Sequence, residues 1–144
     1  MIGVSCTSTE GRINLADGTI LKLIVNIVDA RENGFSPFGG VNIAIKQSGG
    51  TAVVKVPDEL AQSVKDKPLY SSANPPQDGW EMIDIVESTP AKAETKIQTT
   101  KGNFLVEVKI QATMVSRNMN YKNEFREPVY IVNFAIPFSW KIVS

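Results

Sequence analysis

The sequence predicts a mainly β (α+β) chain of one domain, 1–144, built as a strongly bent antiparallel sheet or partly open barrel with one short helix near 57–66. Three observations carry this expectation. Apolar and polar residues alternate with a period of two, and the alternating runs are rich in β-branched and aromatic side chains. Only one segment has helix-start chemistry. The two longest runs are also too long to lie straight in a body of this size.

In chain order, Arg12 to Leu15 and Thr19 to Arg31 flank Ala16-Asp17-Gly18, which reads as a hairpin turn. Within the second run Leu21, Leu23, Val25 and Ile27 share one face, opposite Lys22, Ile24 and Asn26. Val41 to Lys46 and Thr51 to Val56 flank Ser48-Gly49-Gly50, a second hairpin signal. Pro57-Asp58-Glu59-Leu60 opens the helix, because proline suits the first helical turn and acids suit its positive end. The helix should stop near Asp66, since Pro68 disfavours helical geometry at Lys67. Residues 67–79 read as a Pro/Ser/Asn-rich loop, and strand patterning resumes at Trp80.

Asn103 to Ser116 places Phe104, Val106, Val108, Ile110, Ala112 and Met114 on one face. Val129 to Val143 does the same with Tyr130, Val132, Phe134, Ile136, Phe138, Trp140 and Ile142, so the two runs should pair antiparallel. Fifteen extended residues would reach about 50 Å, whereas a 144-residue globule is somewhat under ~40 Å across. Either the strands coil and bend or the hairpin projects as an arm; the bent, barrel-like sheet is favoured, and Pro137, without an amide donor, is the natural bend, bulge or edge position.

Composition removes several function classes. Without histidine there is no Ser-His-Asp triad and no imidazole metal ligand, and a lone Cys6 rules out thiolate-rich zinc sites and internal disulfides. No phosphate-binding glycine loop of the P-loop type is present, and no cofactor or metal is expected. Asp78, Glu81, Asp84 and Glu87 cluster around Trp80, where the simplest reading is a strand whose polar side faces water. Lysine plus arginine and aspartate plus glutamate each total 15, so long-range attraction to nucleic acid or acidic membranes is absent. The charge is unevenly placed, with 7 basic and 11 acidic residues in 1–90 against 8 and 4 in 91–144. Met1-Ile2-Gly3-Val4-Ser5 lacks a signal-peptide pattern, and the apolar run Ile20 to Val28 is too short to span a bilayer; a cytoplasmic location without membrane contact is the default expectation.

Two constellations are candidate sites. The first is the connection between the two longest runs, about twelve residues where hairpins usually take two to five. Within it Arg117, Lys122 and Arg126 could meet phosphate, Tyr121 could stack on a base, and Asn118 and Asn120 could read base edges. The bland alternative is a packed loop whose asparagines serve turn geometry. The second is the recurrence of Val25-Asn26-Ile27, Val41-Asn42-Ile43 and Val132-Asn133-Phe134, which would line a polar ligand strip if Asn26, Asn42 and Asn133 lay on adjacent strands. Phe35-Ser36-Pro37-Phe38 reads as a loop that caps the sheet or contacts a partner, while Trp140, in phase with six apolar residues, reads as core.

The functional expectation is a non-catalytic binding or assembly protein that contacts a macromolecule, with RNA, single-stranded nucleic acid or a ribonucleoprotein as the specific partner. The alternatives are a small-ligand barrel or cofactor-free enzyme, and a structural subunit of an oligomer. Self-association is expected as well, because Ile20–Val28 and Tyr130–Phe138 are long, apolar and nearly uncharged, a hazard unless they are central, closed into a barrel or covered by another subunit.

Overall fold

The structure, a computed structural model, describes residues 6–143; residues 1–5, on which the signal-peptide expectation rests, and Ser144 lie outside the described residues. Ten strands and one helix follow in the order β1 (Thr7–Thr9), β2 (Gly11–Leu15), β3 (Ile20–Glu32), β4 (Ile43–Lys55), α1 (Asp58–Val64), β5 (Trp80–Ile83), β6 (Ile85–Thr89), β7 (Ala91–Thr99), β8 (Gly102–Lys122), β9 (Pro128–Ala135) and β10 (Phe138–Ile142). They form two antiparallel sheets. One has the order β4-β3-β2-β6; the other is built on β8, with the path β1-β7-β8-β10 and with β5 and β9 also paired to β8. The chain is mainly β, as the alternation requires, and neither sheet closes into a barrel.

The sheets are joined at one corner. Thr7–Thr9 pairs with Lys92–Glu94 in one sheet, and Arg12–Asn14 pairs with Glu87–Thr89 in the other, so a single antiparallel ladder passes from sheet to sheet. Gly11 sits where this ladder turns: a Cβ there would overlap backbone atoms of Thr89, Pro90 and Ala91. A corner of this kind lets strands switch sheets without breaking their pairing.

Between the sheets the core follows the predicted phases. Leu21, Leu23, Val25 and Ile27 of β3 are buried, as are Phe104, Val106, Val108 and Ile110 of β8. Each such side chain contributes about 1.5–3 kcal/mol on burial, so these eight outweigh any single polar contact in the molecule. The phase on β8 ends at Ala112. A register shift between Ala112 and Met114 turns the inward face over to Val115, leaving Met114 exposed instead of in the core. Bulges increase local twist, which is how a 21-residue strand stays within the body.

The Ser48-Gly49-Gly50 turn is corrected. Strand β4 runs unbroken through it, with Gly49 opposite Val25 and Gly50 opposite Ile24. The glycine serves close approach: a Cβ on Gly49 would overlap the Ile24 carbonyl oxygen and lie 2.8 Å from Ile110 Cδ1. The real β3–β4 connection is 33–42. By contrast, the β2–β3 turn lies where expected, with Gly18 at φ 91°, and α1 starts after Pro57 and buries Val64 completely.

The twelve-residue connection is also corrected. Residues 117–122 continue β8, and only 123–127 turn. Beyond that turn β9 and β10 lie on the same side of β8 and act as one interrupted strand. The Lys109 amide donates to the Pro137 carbonyl at 2.9 Å across the interruption. Pro137 thus lies on an edge strand, at the interruption between β9 and β10, with its missing donor facing β8. Ile20–Val28, the other apolar run, is central in its sheet, between β2 and β4.

Candidate functional site

The long β8 hairpin carries a different surface at each end, with a polar network between them. At the turn, Asn123 organises the chain. Its Oδ1 accepts from the Phe125 and Glu127 amides at 2.9 Å, its Nδ2 donates to Glu127 at 3.0 Å, and Arg126 takes φ 63°. Phe125 at 82% exposure and Arg126 project into solvent.

The other residues expected at this site are held by the fold. Arg117 lies beside Glu81 of β5 and Tyr130 of β9. Its Nε donates to Glu81 at 3.0 Å and its Nη1 to Asp17 at 3.0 Å. Asn118 is fully buried; its Nδ2 donates to the Asp78 carbonyl and its Oδ1 accepts from the Asn120 amide. Lys122 Nζ donates to the Lys65 carbonyl at 2.8 Å, and the Lys122 backbone pairs with Pro68 and Tyr70. Tyr121 is half-buried and meets Tyr70 edge-on at 6.4 Å, with Trp80 beyond Tyr70. The 65–70 segment is therefore strapped to the end of β8. Of the three cations, only Arg126 stands in the open turn.

Arg117 belongs to a network that pins the two sheets together. Asp17, in the β2–β3 turn, accepts from Arg117, from the Tyr130 hydroxyl at 2.7 Å and from the Thr19 amide at 2.8 Å. The fully buried Thr19 shares a 2.7 Å hydrogen bond with the Tyr130 hydroxyl. Burial alone would raise the Asp17 carboxyl. The hydrogen bonds from Tyr130, Thr19 and Arg117 more than offset it and hold the group below the ordinary carboxylate range. Burial and the adjacent Asp17 carboxylate push the Tyr130 phenol well above its usual value, so it stays a donor.

The three asparagines of the proposed strip do not share a surface. Asn26 faces out from β3 between the buried Val25 and Ile27, and Asn133 faces out from β9 of the other sheet, where its Nδ2 donates to Thr113. Asn42 lies in the loop before β4 and donates to the Asn33 carbonyl. Since the sheets stack on their inner faces, the first two amides point to opposite sides of the molecule. The ligand strip is thereby removed. Among the described residues no group of three or more His, Cys, Asp or Glu side chains comes together as a metal site, and no helix is long and apolar enough to cross a membrane.

At the other end of the hairpin the inner face of β10 runs past the cover of the opposite sheet. Phe138 and Ile142 are 59% and 60% exposed, and beside them Phe38, from the 33–42 loop, is 71% exposed. Trp140 is half-buried; its Nε1 donates to the Phe38 carbonyl at 2.9 Å, and its ring stacks with Phe138 at 6.2 Å. A groove of about 330 Å³ runs between Phe38, Phe138, Ser139 and Trp140. Alternation correctly predicts the face on which Phe138, Trp140 and Ile142 lie. It carries no signal for whether the facing sheet extends far enough to cover them. The only sequence signal for exposure here is the placement of Phe35-Ser36-Pro37-Phe38 in a loop.

The chain matches no protein-family model, no curated protein and no solved structure.

Proposed function

We propose that the chain is a non-catalytic binding and assembly module that contacts a macromolecular partner through the apolar surface where β10 meets the 33–42 loop. The observation that carries this reading is the clustering of Phe38, Phe138 and Ile142, each more than half exposed, around the Trp140 ring. Single exposed apolar residues are ordinary, but a contiguous aromatic cluster at an open edge is what interfaces use, with tryptophan and other aromatics as anchors. The small-ligand alternative lacks such support. Where a barrel ligand would sit, between the sheets, Leu21, Leu23, Val25 and Ile27 meet the β8 side chains.

Residues reserved for a partner are dispensable to the isolated fold. A double variant, Phe38→Ser with Phe138→Ser, is expected to keep its urea midpoint within about 1 kcal/mol of the parent and to lose binding of an anilinonaphthalene sulfonate dye. A loss above about 2 kcal/mol would mean that these rings are packing residues, and the proposal would fall.

A second reading keeps nucleic acid at the opposite tip, favoured by the exposure of Phe125 and Arg126. It now depends mainly on one open cation, where base-stacking platforms normally sit in a basic groove. Fluorescence anisotropy with a labelled oligouridine tests it. Salt-sensitive binding that disappears in Arg126→Glu supports this reading, and no binding at 50 mM salt removes it.

A further inference from the structure

We infer that the partner at the β10 edge is a second copy of the same chain, joined by antiparallel pairing of β10 with its two-fold mate. The inference rests on the reading of this edge as the contact surface and deepens it. Strand phase is the first support. The Lys109 amide donates to the Pro137 carbonyl and the Val143 amide to the Asn103 carbonyl, so residues 137, 139, 141 and 143 direct their backbone groups at β8. In an antiparallel ladder the intervening residues point the other way. The N–H and C=O groups of Phe138, Trp140 and Ile142 therefore line the outer edge, and β10 has no other pairing strand among the described residues.

Proline on an edge strand usually blunts it by presenting a position without a donor to solvent. Here the phase turns that missing donor inward, towards Lys109, and the outer edge keeps its donors intact. Most other edges are blunted. Strands β1 and β5 have only three and four residues, β6 matches β10 at five but carries Glu87, the edge strand β4 carries Lys46, Lys55 and the Gly49-Gly50 pair, and β9 continues the same edge as β10.

Charge favours a second copy as the occupant. Lys141 is the only charged residue in 136–143, and the whole chain has equal numbers of basic and acidic residues. With the two-fold axis at Ser139, Phe138 of one copy exchanges hydrogen bonds with Trp140 of the other, and Ile142 lies opposite Ile136. Lys141 then faces Pro137, so no like charges meet. The exposed Phe138 ring and the half-buried Trp140 ring stand on the same side and form cross-strand aromatic pairs.

This register places the two Ser139 side chains opposite each other on the exposed outer face, where substitution leaves the intrachain bonds to β8 untouched. Sedimentation equilibrium of the full chain is expected to show a concentration-dependent dimer. Ser139→Lys and Ser139→Glu should each weaken it at least about fivefold, because like charges then face each other. An equimolar mixture of the two variants should restore it. A wild-type chain that stays monomeric at about 0.5 mM overturns the inference, yet leaves the dye and stability test of the parent reading to stand or fall on its own result. A dimer indifferent to both substitutions overturns it as well, because association then uses another face.

Discussion

Arg117→Ala is expected to lower the unfolding free energy by about 3 kcal/mol, read as a fall in the urea midpoint at unchanged slope. Removing one partner of a buried ion pair costs about 3–5 kcal/mol, because the other charge is left without compensation. Here the side chains of Arg117 and Asp17 are 14% and 10% exposed, while that of Glu81 is half exposed, which places the effect at the lower end. The dependence on pH separates this mechanism from loss of packing alone. Asp17 titrates below its unfolded value, so its stabilisation is present above that value and fades as pH falls through the folded one. The gap between wild type and variant should therefore narrow below about pH 4. A gap that stays constant to pH 2 would assign the loss to the aliphatic stem of Arg117 instead. Charge reversal at this position would also disturb the sheet-to-sheet pin, which makes Arg126 the proper probe of any contact at the hairpin tip.

Gly49→Val should destabilise the chain by about 3 kcal/mol or more, although intrinsic strand preference alone would favour valine by up to about 1 kcal/mol. The two effects oppose each other and the clash wins. One obstacle is the backbone oxygen of Ile24 in the paired strand, which cannot move without parting β3 from β4; the other is the Ile110 methyl of the facing sheet. The neighbouring position is the control. A Cβ on Gly50 meets nothing within 4 Å, and its backbone is ordinary, so Gly50→Val should be neutral or stabilising by up to about 1 kcal/mol. Equal effects at the two positions in thermal unfolding would show that flexibility of the glycine pair, not close approach, decides the outcome.

Both results bear on what can be read from residues alone. The glycine pair between two apolar runs has the composition of a hairpin turn, and it lies in mid-strand. The difference is the approach of Ile110, more than fifty residues away in the chain. Arg117 through Arg126 has the composition of a binding loop. Most of it continues β8, because Glu81, Asp17 and the Lys65 carbonyl take up the side chains that local sequence leaves unassigned.

Periodicity, turn chemistry and absent residue types were enough to establish the β class, the Gly18 hairpin, the helix after Pro57, the pairing of the last two long runs and the lack of histidine chemistry. These are local properties, set by backbone sterics and by the alternation of side chains across a strand. Where β8 changes phase, which glycine is a turn and which a close approach, and which apolar side chains of a face remain uncovered depend on the length and position of the opposing sheet. That is a matter of packing between segments far apart in the chain, and it alone leaves Phe38, Phe138 and Ile142 exposed at the edge.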